Sequence, residues 1–507
     1  MIKYILSNIN PLDKNRYFSI KMTTQVFAYG VSAWLIIDLL YRYFVCKPDY
    51  VFFHADYNEI ISNLIGTLTT IVVSSFTLII VALQIASQQF SPRILRMFFA
   101  VDLRIQGFLG FYIGSILYCY VIKSVGVAEN DFLNPAVAIG LVLGILCLLA
   151  FPLFVTYYVD NINAASITEK IKHRTMDEVN ALYPGIWKSG SERTGFKRIC
   201  ANPAAFRVSV RSPFSSGYLD EVTYGLLPPL KEALVNKYPE LRITGLYQKP
   251  IIGEFIGFDT TRLLSAEMAV HPTAEQEALV EKDLLEMVQK VFVVTKYRSY
   301  DQDINFGIRQ LVDIGIKAIS PAVNDPTTCV NCIDYLGDIV RQLADREFPS
   351  VAAVQMKAAQ IYVNEFDFDE LLDFSFGQIY QWGKNDPIIV KRLINTISNI
   401  VPVVENPLHL AILVKEVEDF DFDFVKLHET ELSEKEKERF QRESRESIHR
   451  ELNRFQSNVR EQVQRLEQKG ILSQYAFQEG ETEPLERDRK PVVDAVAYLR
   501  KSAMIDK

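Results

Sequence analysis

The chain has 507 residues, 49% of them hydrophobic, and a net charge of −8, a balance that excludes the basic surface needed to hold nucleic acid. Its six cysteines (Cys46, Cys119, Cys147, Cys200, Cys329 and Cys332) are scattered and make no disulfide framework. Mean hydropathy is near zero, the average of an apolar first third and a charged remainder.

Residues 1–21 are polar and carry Lys3, Lys14, Arg16 and Lys21 without an apolar core, which predicts no cleavable leader. Four stretches, at about 22–45, 60–91, 103–124 and 136–159, are apolar and long enough to span a bilayer. Basic residues cluster on one side of them: the N-terminus, Arg93, Arg96 and Arg104, then Lys170, Lys172 and Arg174. By the positive-inside rule both termini are expected in the cytoplasm. Asp38 precedes Arg42 by four residues in the first span, a spacing that pairs them on one helix face. Gly107, Gly110 and Gly114 in the third span, and Gly140 and Gly144 in the fourth, predict close helix contacts, and Pro152 a kink.

The second span carries the chain's most ordered pattern. Asn63, Thr67, Thr70, Ser74, Thr77, Val81, Gln84 and Gln88 alternate steps of four and three, so they form one seam. At about 1.5 Å per residue the seam covers roughly 37 Å, more than the ~30 Å hydrocarbon core. Lipid offers Asn and Gln no hydrogen-bond partner, so this face must meet protein or water. Either it is a packing surface on which Ser and Thr satisfy their own backbone, or copies of the helix surround an axis and the seam lines a polar path. Gln84 and Gln88 are large for tight packing, which favours water. Asp56 and Glu59 would sit at one mouth and Arg93 and Arg96 at the other, favouring opposite ions.

Beyond Asp160 no segment is long and apolar enough to span again, so the remainder is expected in the cytoplasm. A short charged helix (166–182) and a linker near 188–198 lead to a β-rich stretch, 204–258. There FRVSV and LRITGLY alternate, GYLDEV and IIGEFIGF read as compact strands, and Pro228–Tyr238 is a helical crossover. From about 273 the pattern becomes helical, with Thr273 and Asn385 as capping candidates. Residues 433–468 predict a charged amphipathic helix with Phe440, Ile448, Leu452, Phe455, Val459, Val463 and Leu466 on one stripe, which implies a partner helix in this chain or another copy. The last forty residues read as loosely ordered apart from an apolar patch at 492–499. The organisation expected is an N-terminal segment (1–21), a transmembrane domain (22–160), a connecting helix and linker (161–200), a β-rich subdomain (201–265), a helical subdomain (266–428) and a C-terminal helix and tail (429–507). The fold class is an α-helical integral membrane protein with four transmembrane helices and a mixed α/β cytoplasmic domain.

No phosphate-binding glycine loop, HExxH or GxSxG occurs, and the six histidines never stand at metal-ligand spacing. Cys329 and Cys332 form a CxxC with no second pair to complete a zinc site. Catalysis, a metal and a cofactor are therefore not expected. The most constrained soluble stretch is Tyr300–Thr328. Ile308, Leu311, Val312, Gly315, Ile316 and Ile319 make one apolar helical face, Pro321 stops the helix, and Asp325 with Pro326 starts the next. Asp301, Asp303, Arg309 and Asp313, with Asn324 and Asp325, form either a capped helix–turn–helix held by Asp–Arg pairs or a site that senses an ion or ligand.

FGIRQLVDIGIKAISPAVNDPTTCVNCIDYL (306–336), the membrane stretch Ser74–Gln106, and Asp367–Asp373 with Phe376–Gln378 together resemble a bacterial family of predicted membrane proteins, domain of unknown function 2254. The resemblance covers most of residues 20–425 and implies an integral inner-membrane protein with a cytoplasmic domain; it brings no activity. The family carries a Gly-Asp-Phe-Val-like turn in the β-rich segment where this chain has Lys249-Pro-Ile-Ile-Gly253, and the charged C-terminal helix looks like an addition. Three roles stay open: a homo-oligomeric channel for an ion or small solute, a transporter working within each protomer, and a non-conducting membrane scaffold or signalling protein.

Overall fold

The computed structural model describes residues 57–89, 103–125, 135–162, 164–187, 206–348, 350–420, 434–475 and 490–504. They divide into two units, the first ending at Ile167 and the second beginning at Thr168. The expected span at 22–45, with Asp38 and Arg42, lies outside the described residues, as do Asp56, Arg93 and Arg96.

Three helices make up the first unit: α1 (Tyr57–Gln89), α2 (Leu103–Val125) and α3 (Pro135–Ile162). Each contains a stretch long and apolar enough to cross a membrane: Tyr57–Ala82, Arg104–Val125 and Pro135–Val159. Along α1 the buried residues Ile61, Ile65, Leu68, Ser75 and Ile79 recur on one face, packed on the other two helices. The glycines of α3 permit that approach, since a Cβ on Gly144 would stand 2.8 Å from Leu64 Cδ2. Near the other end, the Tyr158 hydroxyl donates to the Ile79 carbonyl at 3.2 Å.

The second unit opens with most of α4 (Ala164–Leu182) and continues into two small sheets. Strands β1 (Phe206–Arg211) and β2 (Gly217–Val222) precede α5 (Leu227–Lys237); β3 (Ile243–Gln248), β4 (Phe255–Ile256) and β5 (Arg262–Met268) follow. After them come α6 (Ala274–Val291) and β6 (Phe292–Thr295). A two-residue strand, β7 (Ile361–Tyr362), joins from far along the chain. One sheet has the order β1-β5-β3-β7 and the other β4-β2-β6. All pairs are antiparallel except β3 with β7. Inward residues such as Val208, Leu246, Leu264 and Ile361 share a core with Leu284 and Val288 of α6.

The helical part comprises α7 (Ile304–Ala318), α8 (Pro326–Ala344), α9 (Val351–Ala358), α10 (Phe368–Gly383), α11 (Pro387–Ile400) and α12 (Pro407–Glu418). Two more follow, α13 (Glu434–Gln468) and α14 (Lys490–Met504). Ile308, Leu311 and Val312 of α7 are fully buried, and Ile304 and Ile314 join them, so the helix is enclosed on more than the expected face. Asp325 caps α8 as its spacing predicts: Oδ1 accepts the Thr328 N–H at 3.1 Å, Pro326 is the first helical residue, and Asn324 turns the chain at φ 49°. Thr273 forms a capping box with Gln276 on α6.

Several expectations are corrected. Asp386 caps α11, not Asn385, because its Oδ1 reaches the Ile388 N–H at 2.8 Å. The stretch IIGEFIGF is no continuous strand: Gly253 turns at φ +84°, and only Phe255–Ile256 pairs. The region after 273 is not purely helical, since β6 and β7 lie there. The partner of the charged helix is α11 of the same chain. Ile448, Phe455, Val459, Val463 and Leu466 are buried, and Asn458 donates to the Ser398 carbonyl at 3.0 Å. The C-terminal patch at 492–499 belongs to a full helix, α14, in which Leu499 is buried.

The cap sets the first prediction. Asp325→Ala should cost roughly 0.5–2 kcal/mol and speed amide hydrogen exchange at 326–329; unchanged exchange there would show that the cap does not hold the turn.

Candidate functional site

Asp303 organises the start of α7. Its Oδ1 accepts the Phe306 N–H at 3.0 Å, which caps the helix, and Arg298 grips both carboxylate oxygens at 2.7–3.0 Å. Burial pushes the Asp303 carboxyl up to about 6, while the Arg298 guanidinium and the Phe306 N–H pull the other way. The turn Lys249–Gly253 closes on this pair. A Cβ at Gly253 would lie 2.2 Å from Asp303 Oδ2 and 2.5 Å from Arg298 Nη2, which leaves room for glycine alone, and its positive φ favours glycine as well.

Next to Asp303, Gln302 adopts φ 59° and its amide pairs with β2: Oε1 accepts the Val222 N–H at 3.2 Å and Nε2 donates to the Val222 carbonyl at 3.4 Å. Its own N–H donates to Glu178 Oε2 of α4 at 3.3 Å. Helix α4 is clamped along α7 and α8 by further contacts. Lys172 pairs with Asp338, Arg174 lies 5.7 Å over the Tyr300 ring, and Arg346 donates to Asn180 Oδ1 at 2.6 Å. The closest approach is at Gly307, where a Cβ would stand 1.8 Å from Thr175 Oγ1. Thr175 is fully buried, with its hydroxyl donating to the Ile171 carbonyl at 2.8 Å.

The residues singled out in the soluble stretch therefore separate. Asp303 pairs with Arg298 rather than Arg309, because the loop before α7 folds back over the helix start. Arg309 pairs with Asp313 at 2.7 Å, one helical turn on, and donates to Gln378 Oε1 of α10. Asp301 is exposed, and Asn324 and Asp325 form the turn at the far end of α7, about 22 Å away by helical rise. Arg298, Gly253, Gln302, Thr175 and Gly307 carry no sequence pattern that marks them. Asp367 caps α10 in a capping box with Glu370. Nearby, burial and the charges of Asp373, Asp369 and Asp419 push the Glu416 carboxyl up to about 7. Cys329 and Cys332 are buried in α8, and burial pushes the Cys329 thiol up to about 12, far from a reactive thiolate. Among the described residues no three His, Cys, Asp or Glu side chains group to hold a metal.

In the first unit, Asn63, Thr67, Thr70, Ser74, Thr77, Val81 and Gln84 are all exposed, on the side of α1 away from its packed stripe; the Gln88 side chain lies outside the described residues. Glu59 is exposed at the start of the same helix. Thr67, Thr70 and Thr77 donate to the carbonyls of Asn63, Gly66 and Val73 at 2.8–2.9 Å.

The family model of predicted membrane proteins designated DUF2254 matches residues 22–399, which takes in all three described spans and the second unit through nearly all of α11. The chain belongs to this family. An uncharacterized protein of Mycobacterium bovis and one of Mycobacterium tuberculosis are each 27% identical to it over 349 residues, covering 68% of this chain and 63% of the relative. The match thus spans under two-thirds of those relatives' length. No solved structure matches. The charged helix α13 lies past the residues the family model covers.

Two measurements follow from the site. Gly307→Ala should destabilise the protein by about 1–3 kcal/mol through overpacking against Thr175, although alanine favours helix by about 1 kcal/mol. Adding Thr175→Ala should recover at least half of that loss in a double-mutant cycle; a neutral Gly307→Ala would show that the two helices do not touch there. For Glu416, a carboxyl pKa raised in the folded state means the native protein holds a proton that the unfolded chain has released. Its favourable contribution is present below about pH 4.5 and lost as pH rises through 7. Glu416→Gln should therefore gain stability relative to wild type at pH 8 and lose the advantage at pH 4; a gain independent of pH would refute the assignment.

Proposed function

We propose that the protein is a homo-oligomeric membrane channel in which α1 lines a polar path and the second unit acts as gate or sensor. One observation carries this reading: every described seam position of α1 is exposed in the chain, while the opposite stripe is packed. An exposed Asn63 or Gln84 in hydrocarbon would leave its amide unsatisfied, so the seam needs either a second copy or water. Copies arranged around an axis supply both. In this reading the chain sits in a bacterial inner membrane, both termini are cytoplasmic, an ion or small solute is conducted, and no catalytic step or cofactor takes part.

A scaffold reading has its own support. The hydroxyls of Thr67, Thr70 and Thr77 are already satisfied by their own backbone, which makes them tolerable at a dry helix–helix contact. The two readings separate at Val81, the apolar position of the seam, which is 47% exposed. In a conduit Val81 forms a hydrophobic ring that can close by excluding water. Val81→Ser should then raise conductance and Ser74→Leu lower it, whereas replacing Val72 or Ile79 on the packed side should change it less. In a scaffold Ser74→Leu would disrupt assembly and Val81→Ser would be silent. Single cysteines along 63–88, probed with a water-soluble thiol reagent, decide: labelling in steps of three and four supports the conduit, and a seam that stays unlabelled ends it.

A further inference from the structure

Within the second unit, the end of α4, the start of α7 and the segment 364–366 line a partly open cavity of about 40 Å³, room for roughly three water-sized guests. Its polar lining includes Tyr183, Tyr224, Gln302, Asn305, Asn364 and Glu365. Two of these stand out, one as an acceptor without a donor and one as a carboxylate without a cation. Asn305 is 7% exposed, and its Oδ1 accepts no hydrogen bond. Glu365 accepts the Ser350 N–H at 2.8 Å and the hydroxyls of Ser350 and Tyr183, but among the described residues no Lys or Arg pairs with it. The other amides are spoken for: Gln302 by Val222, and Asn364 Nδ2 by the Lys249 carbonyl at 3.0 Å.

An orphan acceptor and a carboxylate without a countercharge line one small space that no Lys, Arg or His reaches. We propose that this cavity binds one small monovalent cation, an alkali ion or ammonium, held by the Glu365 carboxylate and Asn305 Oδ1. Ligand count argues for single charge: one carboxylate and one amide oxygen fall short of the six to eight oxygens calcium takes, and of the several carboxylates that offset its charge. The tyrosine and aliphatic walls, among them Ile251, Ile252 and Ile304, leave room for one small ion with a water or two beside it. Burial raises the Glu365 carboxyl to about 7, in keeping with a negative group that a cation would relieve. Because Tyr183 follows α4 and Asn305 belongs to α7, occupancy would fasten the helix leading from the first unit to the family's signature helix. This goes beyond the conduit reading and does not depend on it.

The test uses the full-length protein in detergent, with thermal unfolding followed at constant ionic strength in choline, sodium, potassium or ammonium chloride at pH 8. At ten times its Kd a cation should raise the midpoint by about 2 °C over choline, saturably. Glu365→Gln and, separately, Asn305→Ser should abolish that increment, while Asp259→Asn on an exposed turn should keep it. If Glu365→Gln does not fold, the Asn305→Ser comparison decides alone. Equal midpoints in choline and all three cations for the wild type mean a cavity filled by water or closed by protonation, and overturn the site. An increment retained in both variants places the cation elsewhere and overturns it equally.

Discussion

Burying the Asp303 carboxylate removes it from water, and the loop, turn and helix around it are arranged to supply donors in water's place. Arg298 reaches back from the preceding loop, the first turn of α7 presents the Phe306 N–H, and Gly253 leaves the space that any side chain would take. The pair is costly to break, because removing either partner strands a charge in an environment that cannot hydrate it. That fixes where α7 begins. With the helix start fixed, Gln302 is held in its left-handed turn against β2, and α4 finds its glycine at 307. The sheets, the helical hairpin and the helix leading out of the first unit thus meet at one short stretch of chain.

A different constraint rules the first unit. Helix α1 has two faces with opposite needs: one gives aliphatic side chains to α2 and α3, and the other carries amides and hydroxyls. In water such a polar face would be unremarked. In a bilayer it is the face that cannot be left alone, since a buried amide without a partner costs several kcal/mol. The threonines have answered that demand locally by bonding to their own helix; the amides of Asn63 and Gln84 carry two donors and an acceptor each, more than one backbone carbonyl satisfies.

What was legible in the sequence follows from how local each signal is. The apolar stripe of α13 and the Asp325–Pro326 start of α8 depend on spacing within one helix or on one cap; Ile448, Phe455, Val459, Val463 and Leu466 are buried and Asp325 caps α8. GYLDEV is β2 residue for residue. Asp386 was missed by one position because Asn and Asp both cap and only the distance to Ile388 chooses between them. Arg298, the partner of Asp303, was not singled out, because the fold-back of the 298–303 loop carries no periodicity. Thr175 and Gly307 lie in separate segments, so nothing in either announces their contact. Of the two readings left open for the charged residues between 301 and 325, the contacts are those of a capped helix–turn–helix: Asp303 and Asp325 cap α7 and α8, and Arg309 pairs with Asp313.

The two-residue strand β7 has a consequence for how the chain comes off the ribosome. It pairs in parallel with β3, matching Leu246 with Ile361, so the edge of the four-stranded sheet waits for residues made over a hundred positions later. At typical synthesis rates that delay is on the order of ten seconds. During it β1, β3 and β5 can pair, and α7 with α8 can form its hairpin, while the Leu246 edge stands open. An open strand edge invites pairing with another chain. If copies of this protein are made close together on one membrane, that interval is when a nascent chain is most able to join the wrong neighbour.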